Sequence, residues 1–133
     1  MAGIDSSAAQ PRILVVDDSS LVRLYYRGAL EQAGFAVEQA INGIEAMEKV
    51  LAQPFDLVIV DINMPKMDGF SFLRDLRRAN SDVATLPALV ITTEAGDQDI
   101  ADGRAAGANF YLVKPVSQAD LLRHAAVLMG VPR

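Results

Sequence analysis

Five short apolar runs recur along the chain, and each is followed by a stretch whose apolar residues fall at helical spacing. The runs are Arg12–Val16, Phe35–Ala40, Leu57–Val60, Ala88–Thr92 and Asn109–Val113. All are too short for helices, and the first, third and fourth are rich in β-branched residues, so the runs predict strands, the central ones buried on both faces. Between the first two, Val22, Tyr25, Tyr26, Ala29, Leu30 and Ala33 mark a helix, with Ser19 or Ser20 as its cap and Gly34 closing it. Asn42-Gly43 breaks the second strand, and Ile44 to Leu51 reads as a second amphipathic helix. Phe70, Phe72, Leu73 and Leu76 place a third, with Arg74, Arg77 and Arg78 on its wet side. Asn80-Ser81-Asp82 reads as a loop, and Pro87 opens the fourth strand. Asp97 to Ala106 is a weak helix: it is polar, and Gly103 inside it costs about 1 kcal/mol against Ala. Ser117 caps a last helix bearing Leu121, Leu122, Ala125 and Met129, closed by Gly130.

Strand and helix alternate five times. That alternation predicts an α/β fold with a five-stranded parallel sheet, five helices on its two faces, and right-handed crossovers that make it doubly wound. A length of 133 residues suits one domain, and 51% hydrophobic residues suffice for a core. No run of about 18 apolar residues occurs, so no membrane span is expected. Residues 1–10 lack the basic and apolar regions of a signal peptide and read as a short, poorly ordered lead-in. The expected compartment is the cytoplasm. Without Cys there is no thiol chemistry. A net charge of −5 with no Lys/Arg stripe argues against nucleic-acid binding.

The chemistry-bearing residues sit where strands end. The first strand runs into Asp17 and Asp18, the third into Asp61, the fourth ends on Thr92 and the fifth runs into Lys114. In a parallel sheet these ends line one edge, which is where open α/β sheets bind ligands. Two like charges 4 Å apart cost about 4 kcal/mol at an effective dielectric of 20, and a hard divalent cation removes that cost. Oxygen donors suit Mg²⁺, which favours phosphate oxygens as further ligands. A carboxylate can attack phosphorus to form an aspartyl phosphate, with Mg²⁺ and the Lys114 ammonium neutralising the transferring oxygens and Thr92 donating a hydroxyl. Neither GxxxxGK[ST] nor GxGxxG occurs, so ATP is not the expected donor.

These residues carry a resemblance. VVDD (15–18), DINMPKMDG (61–69), LVITTEA (89–95) and YLVKP (111–115) make the chain similar to bacterial two-component response-regulator receiver domains, of the single-domain, chemotaxis CheY-like type. The resemblance covers about residues 11–130 and implies a flavodoxin-like sheet of order 2-1-3-4-5. It implies Asp61 as phosphoacceptor, Asp18, Asp61 and the backbone carbonyl of Asn63 as Mg²⁺ ligands, and Asp17 acting through a water. Thr92 and Lys114 would contact the phosphoryl group, and Tyr111 would be the switch aromatic, turning inward when Thr92 moves. The Lys114–Pro115 peptide would be cis. Asn63 and Glu94 would tune hydrolysis. Thr93 departs from the small residue often found there and would narrow access to Asp61. The chain would not be an enzyme, but a phosphoacceptor that assists its own phosphorylation and dephosphorylation. Its phosphodonor would be a histidine kinase, a phosphotransfer protein or a small acyl phosphate. With nothing after Arg133, no output domain is expected, and the signal would leave to a partner protein through the fourth helix, fifth strand and fifth helix (the 4-5-5 face, about 97–130). Ile100 and Tyr111 are the apolar candidates there, and His124 reads as a surface residue.

Other readings compete. Within the family, the chain could be a phosphorelay shuttle or a non-motility single-domain regulator. A small Asp-nucleophile phosphatase of the haloacid-dehalogenase type would want an Asp-x-Asp motif on the first strand and a cap insertion, whereas here the candidate nucleophile is on the third. A flavodoxin-like FMN binder would need a phosphate loop where Asp17 and Asp18 would repel phosphate.

Overall fold

The computed structural model describes residues 10–62 and 69–131. Its five strands are β1 (Arg12–Val16), β2 (Ala36–Ala40), β3 (Leu57–Val60), β4 (Ala88–Thr92) and β5 (Phe110–Val113). All pairings are parallel, in the order β2-β1-β3-β4-β5. The helices are α1 (Ser20–Gln32), α2 (Gly43–Ala52), α3 (Gly69–Arg78), α4 (Ser81–Ala84), α5 (Asp97–Ala106) and α6 (Gln118–Met129). This is the doubly wound α/β architecture expected, with one helix more: the stretch read as a loop at Asn80 contains α4, a single turn capped by the Asn80 side chain on the Val83 N–H.

Side chains alternate along β1, β3 and β4 and build a core on each face of the sheet. On one face Leu14, Val16, Val58, Val60, Ala88 and Val90 meet α2, α3 and α5 through Ala46, Val50, Phe72, Leu73, Leu76 and Ala106. On the other, Ile13, Val15, Leu57, Ile59, Leu89 and Ile91 meet α1 and α6 through Tyr26, Ala29, Leu30, Leu121 and Ala125. The central strands are buried on both sides, which is why they read as unbroken apolar runs. Ser19 caps α1 on the Val22 N–H, Asn42 caps α2 on the Glu45 N–H, and Ser117 caps α6 on the Asp120 N–H.

One placement differs from expectation. Arg77 is not on a wet face: its guanidinium is half-buried and donates five hydrogen bonds, to the carbonyls of Ala84, Leu86 and (twice) Gly107, and to the Asn109 side chain. Amphipathic spacing ranks one helix against solvent; here the ends of α4 and α5 arrive over that face and supply acceptors.

Candidate functional site

Sheet register brings the acids together. Val16 pairs with Val60, so Asp17 and Asp61 leave adjacent strands side by side. The Asp61 N–H donates to the Val16 carbonyl and the Asp17 N–H to the Ala40 carbonyl, which carries the sheet bonding one residue past the strand ends. Thr92 pairs with Val113, and the Lys114 N–H donates to the Thr92 carbonyl at 2.7 Å. Asp17, Asp61 and Thr92 are the buried polar residues among those described. Carboxylate oxygens of Asp17, Asp18 and Asp61 lie within 4.8 Å of one another, and Lys114 Nζ stands 3.4 Å from Asp61 Oδ2.

The electrostatics are unbalanced. Three carboxylates face one ammonium. Asp17 Oδ1 accepts the Ser19 N–H at 2.9 Å, but its buried Oδ2 has no donor among the described residues. Its pKa is pushed up to about 6, first by burial; the Ser19 amide opposes this, the Asp61 carboxylate adds to it and the Lys114 ammonium opposes it. The buried phenol of Tyr26 is raised too, by burial and then by the charges of Asp17, Asp61 and Tyr25. A donor-free buried carboxylate oxygen inside an all-oxygen cluster fits a hard divalent cation, which removes both the repulsion and the unmet bond.

The family model described as the response regulator receiver domain matches residues 13–126. The chain belongs to the response regulator receiver domain family. Among solved structures, chemotaxis protein CheY4 of Vibrio cholerae is 38% identical with a TM-score of 0.85, over 90% of this chain and 99% of that one. The receiver domain of sensor histidine kinase PA1611 from Pseudomonas aeruginosa PAO1, whose structure has a magnesium ion coordinated in the active site cleft, is 29% identical with a TM-score of 0.84, over 92% of this chain and 99% of that one. Among curated relatives, the transcriptional regulatory protein PrrA of Mycobacterium leprae (strain TN) is 37% identical over 126 residues, which are 95% of this chain and 53% of that protein. The chain therefore spans about half the length of the curated relatives it matches. As a receiver domain it serves two-component, phosphorylation-dependent signalling, and receiver domains bind Mg²⁺ at an acidic cluster of the kind found here.

In this receiver domain a single residue joins the two switch candidates. The Glu94 N–H donates to Thr92 Oγ1 at 3.3 Å, and the Tyr111 hydroxyl donates to the Glu94 carbonyl at 2.9 Å. The Tyr111 ring lies on α5 at Gly103, where an added Cβ would come within 2.8 Å of it. Gly103, which the sequence scores as a loss, is thus the seat of Tyr111. Burial, and then the charges of Asp99, Glu94 and Asp102, raise the Tyr111 phenol. Ile100 is partly buried on the same helix. Exposed Thr93 lines an open groove of about 520 Å³ with Leu21, Tyr25, Lys114 and Pro115. The Lys114–Pro115 peptide is cis. His124 is not simply a surface residue: it is partly buried, with Nδ1 2.8 Å from the Asp120 carbonyl and its ring 4.7 Å from that of Phe110. Asn63 lies outside the described residues. Spacing gave no sign of Tyr26, whose place beside the acids comes from α1 packing, nor of the main-chain role of Glu94.

Proposed function

We propose that this receiver domain takes a phosphoryl group onto Asp61 from a phosphohistidine of a histidine kinase or phosphotransfer protein. The observation that carries this is the cluster itself: a buried Asp61 grouped with two further carboxylates, one with an oxygen that has no donor among the described residues, and a lysine ammonium at 3.4 Å. An Asp61 oxygen attacks phosphorus, the P–N bond breaks, and the imidazole leaves with the electron pair. The Asp17–Asp18–Asp61 cluster would hold Mg²⁺, which would supply positive charge to the phosphoryl oxygens. Lys114 and the Thr92 hydroxyl take the remaining phosphoryl contacts. The groove beside Lys114, with Leu21 and Tyr25 exposed on its rim, offers a donor protein an apolar seat next to the acceptor. The chain acts on itself rather than on a separate substrate, assisting its own phosphorylation and dephosphorylation. It works in the cytoplasm; no helix among the described residues is long and apolar enough to cross a membrane. Output passes to a partner protein through α5, β5 and α6.

Acetyl phosphate with Mg²⁺ tests this. The mass should rise by one phosphoryl unit, the adduct should be labile to hydroxylamine, and Asp61→Ala should stay unmodified. Asp18→Ala should lose most Mg²⁺ binding. Label on Ser, Thr or His124 would overturn the assignment. The length of the curated relatives favours a second reading, in which this receiver is one half of a longer transcriptional regulator and its output face serves an attached segment. The mass of the native protein decides, 14.3 kDa against roughly twice that.

A further inference from the structure

The two ends of α5 are held very differently. Its C-terminal end closes on Gly107, at φ +120°, whose carbonyl accepts two bonds from Arg77, from Nε at 3.0 Å and from Nη2 at 2.6 Å. Arg77 Nη1 reaches the carbonyls of Ala84 at 2.8 Å and Leu86 at 2.6 Å, and Nη2 reaches Asn109 Oδ1 at 2.9 Å. That oxygen also accepts the Ala88 N–H, so the same fork ties α5 to the start of β4. A Cβ on Gly107 would stand 2.6 Å from Arg77 Cγ, so α5 closes directly against this side chain. A cation at a helix C-terminus is also favoured by the helix dipole.

Among the described residues no such fork holds the N-terminal end. Gly96, the N-cap, has no side chain to offer, and the Asp99 carboxylate returns one bond to its N–H at 3.2 Å. Residues 93–98 are all exposed. Glu94 links this segment to Thr92 on one side and to Tyr111 on the other.

We propose that Arg77 is a positioning residue: it clamps the C-terminal end of α5 as a fixed pivot, so that events at Thr92 swing the N-terminal end of the helix instead of shifting it whole. The lever from Gly96 to Gly107 is about 16 Å long at 1.5 Å per residue. A displacement of about 1.5 Å at its free end needs a rotation of only about 5° by that length. Gly103 lies nearer the pivot than the tip, so Tyr111 keeps its seat through small swings and is released by larger ones. This rests on the reading of Asp61 as phosphoacceptor for its purpose, but not for its test.

The test is native-state amide hydrogen exchange on the unmodified protein, with β1 and β3 amides as the reference for global opening. Amides 104–108 should be at least tenfold more protected than 100–102. Arg77→Lys keeps the charge and loses the fork; it should lower protection at 104–108 at least tenfold relative to β1 and β3, and change 100–102 by less than twofold. Asn109→Ala, which removes one of the five bonds, should move the same amides by less, and serves if Arg77→Lys folds poorly. A purely structural role would lower all amides together. Equal protection of the two halves, or a gradient unchanged in the variants, overturns the proposal. No phosphodonor is present, so that failure is distinct from a failure of Asp61 to be modified. In the phosphorylated protein, exchange should change at 95–102 and stay within twofold at 104–109, and in Arg77→Lys the change should spread to 109.

Discussion

The centre of the sheet and its β5 edge are built from the same strand-helix unit, yet they are opposites in packing. β1 and β3 are buried along almost their whole length, and α3 beneath them buries Phe72, Leu73 and Leu76. β5 leaves Phe110 and Val113 exposed, and α5 beside it buries only Gly103 and Ala106. The acids stand on the first region and Tyr111 on the second, with the buried Thr92 on β4 between them. A phosphoryl site needs carboxylates held in place by packed neighbours, whereas a readout needs a segment whose alternatives differ by little free energy. The chain meets both needs by changing the side chains of one repeated unit.

The contrast can be broken most strongly in the core. Phe72→Ala should cost about 3–5 kcal/mol in urea unfolding, and Ile100→Ala on α5 about 1 kcal/mol or less. Similar losses would mean that the edge is as tightly packed as the centre.

Next comes the buried acid. Asp17 holds its proton more tightly folded than unfolded, so its contribution to stability is full below about pH 4, is lost as pH rises towards about 6, and is flat above that. Asp17→Asn is neutral throughout. Without divalent cations it should be more stable than wild type above pH 6, by up to about 3 kcal/mol, and the difference should close towards pH 4. Mg²⁺ should shrink it by stabilising wild type. Parallel stability curves would show that burial of this charge costs nothing.

Two glycines sharpen the comparison. Gly28 on α1 has open space at its Cβ position, so Gly28→Ala should gain about 1 kcal/mol in thermal unfolding. Gly103→Ala meets the Tyr111 ring and should lose about 1 kcal/mol despite the better helix propensity. Equal gains would place Tyr111 elsewhere in solution. The smallest effect is Tyr111→Phe, which deletes the bond to the Glu94 carbonyl; it should cost about 1 kcal/mol or less, and raise hydrogen exchange at 94–97 without affecting β1.

The site was legible where its logic is one-dimensional. Asp17, Asp18, Asp61, Thr92 and Lys114 each mark the end of an apolar run, and a parallel sheet gathers such ends by construction. What the chain hides depends on neighbours distant in sequence. Arg77 looks solvated until α4 and α5 supply carbonyls, Gly103 looks like a weakness until β5 supplies a ring, and His124 looks exposed until Phe110 covers it. α4 escaped because four residues are too few to show a period.

The Glu94 bridge has a consequence for how this receiver can diversify. Both bonds use main-chain atoms of Glu94, its N–H donating to Thr92 Oγ1 and its carbonyl accepting from the Tyr111 hydroxyl, so the link is indifferent to which side chain position 94 carries. On the proposal that Asp61 is phosphorylated, exchanging the Glu94 side chain should leave the link from Thr92 to Tyr111 in place, and only proline, by deleting the N–H, should cut it.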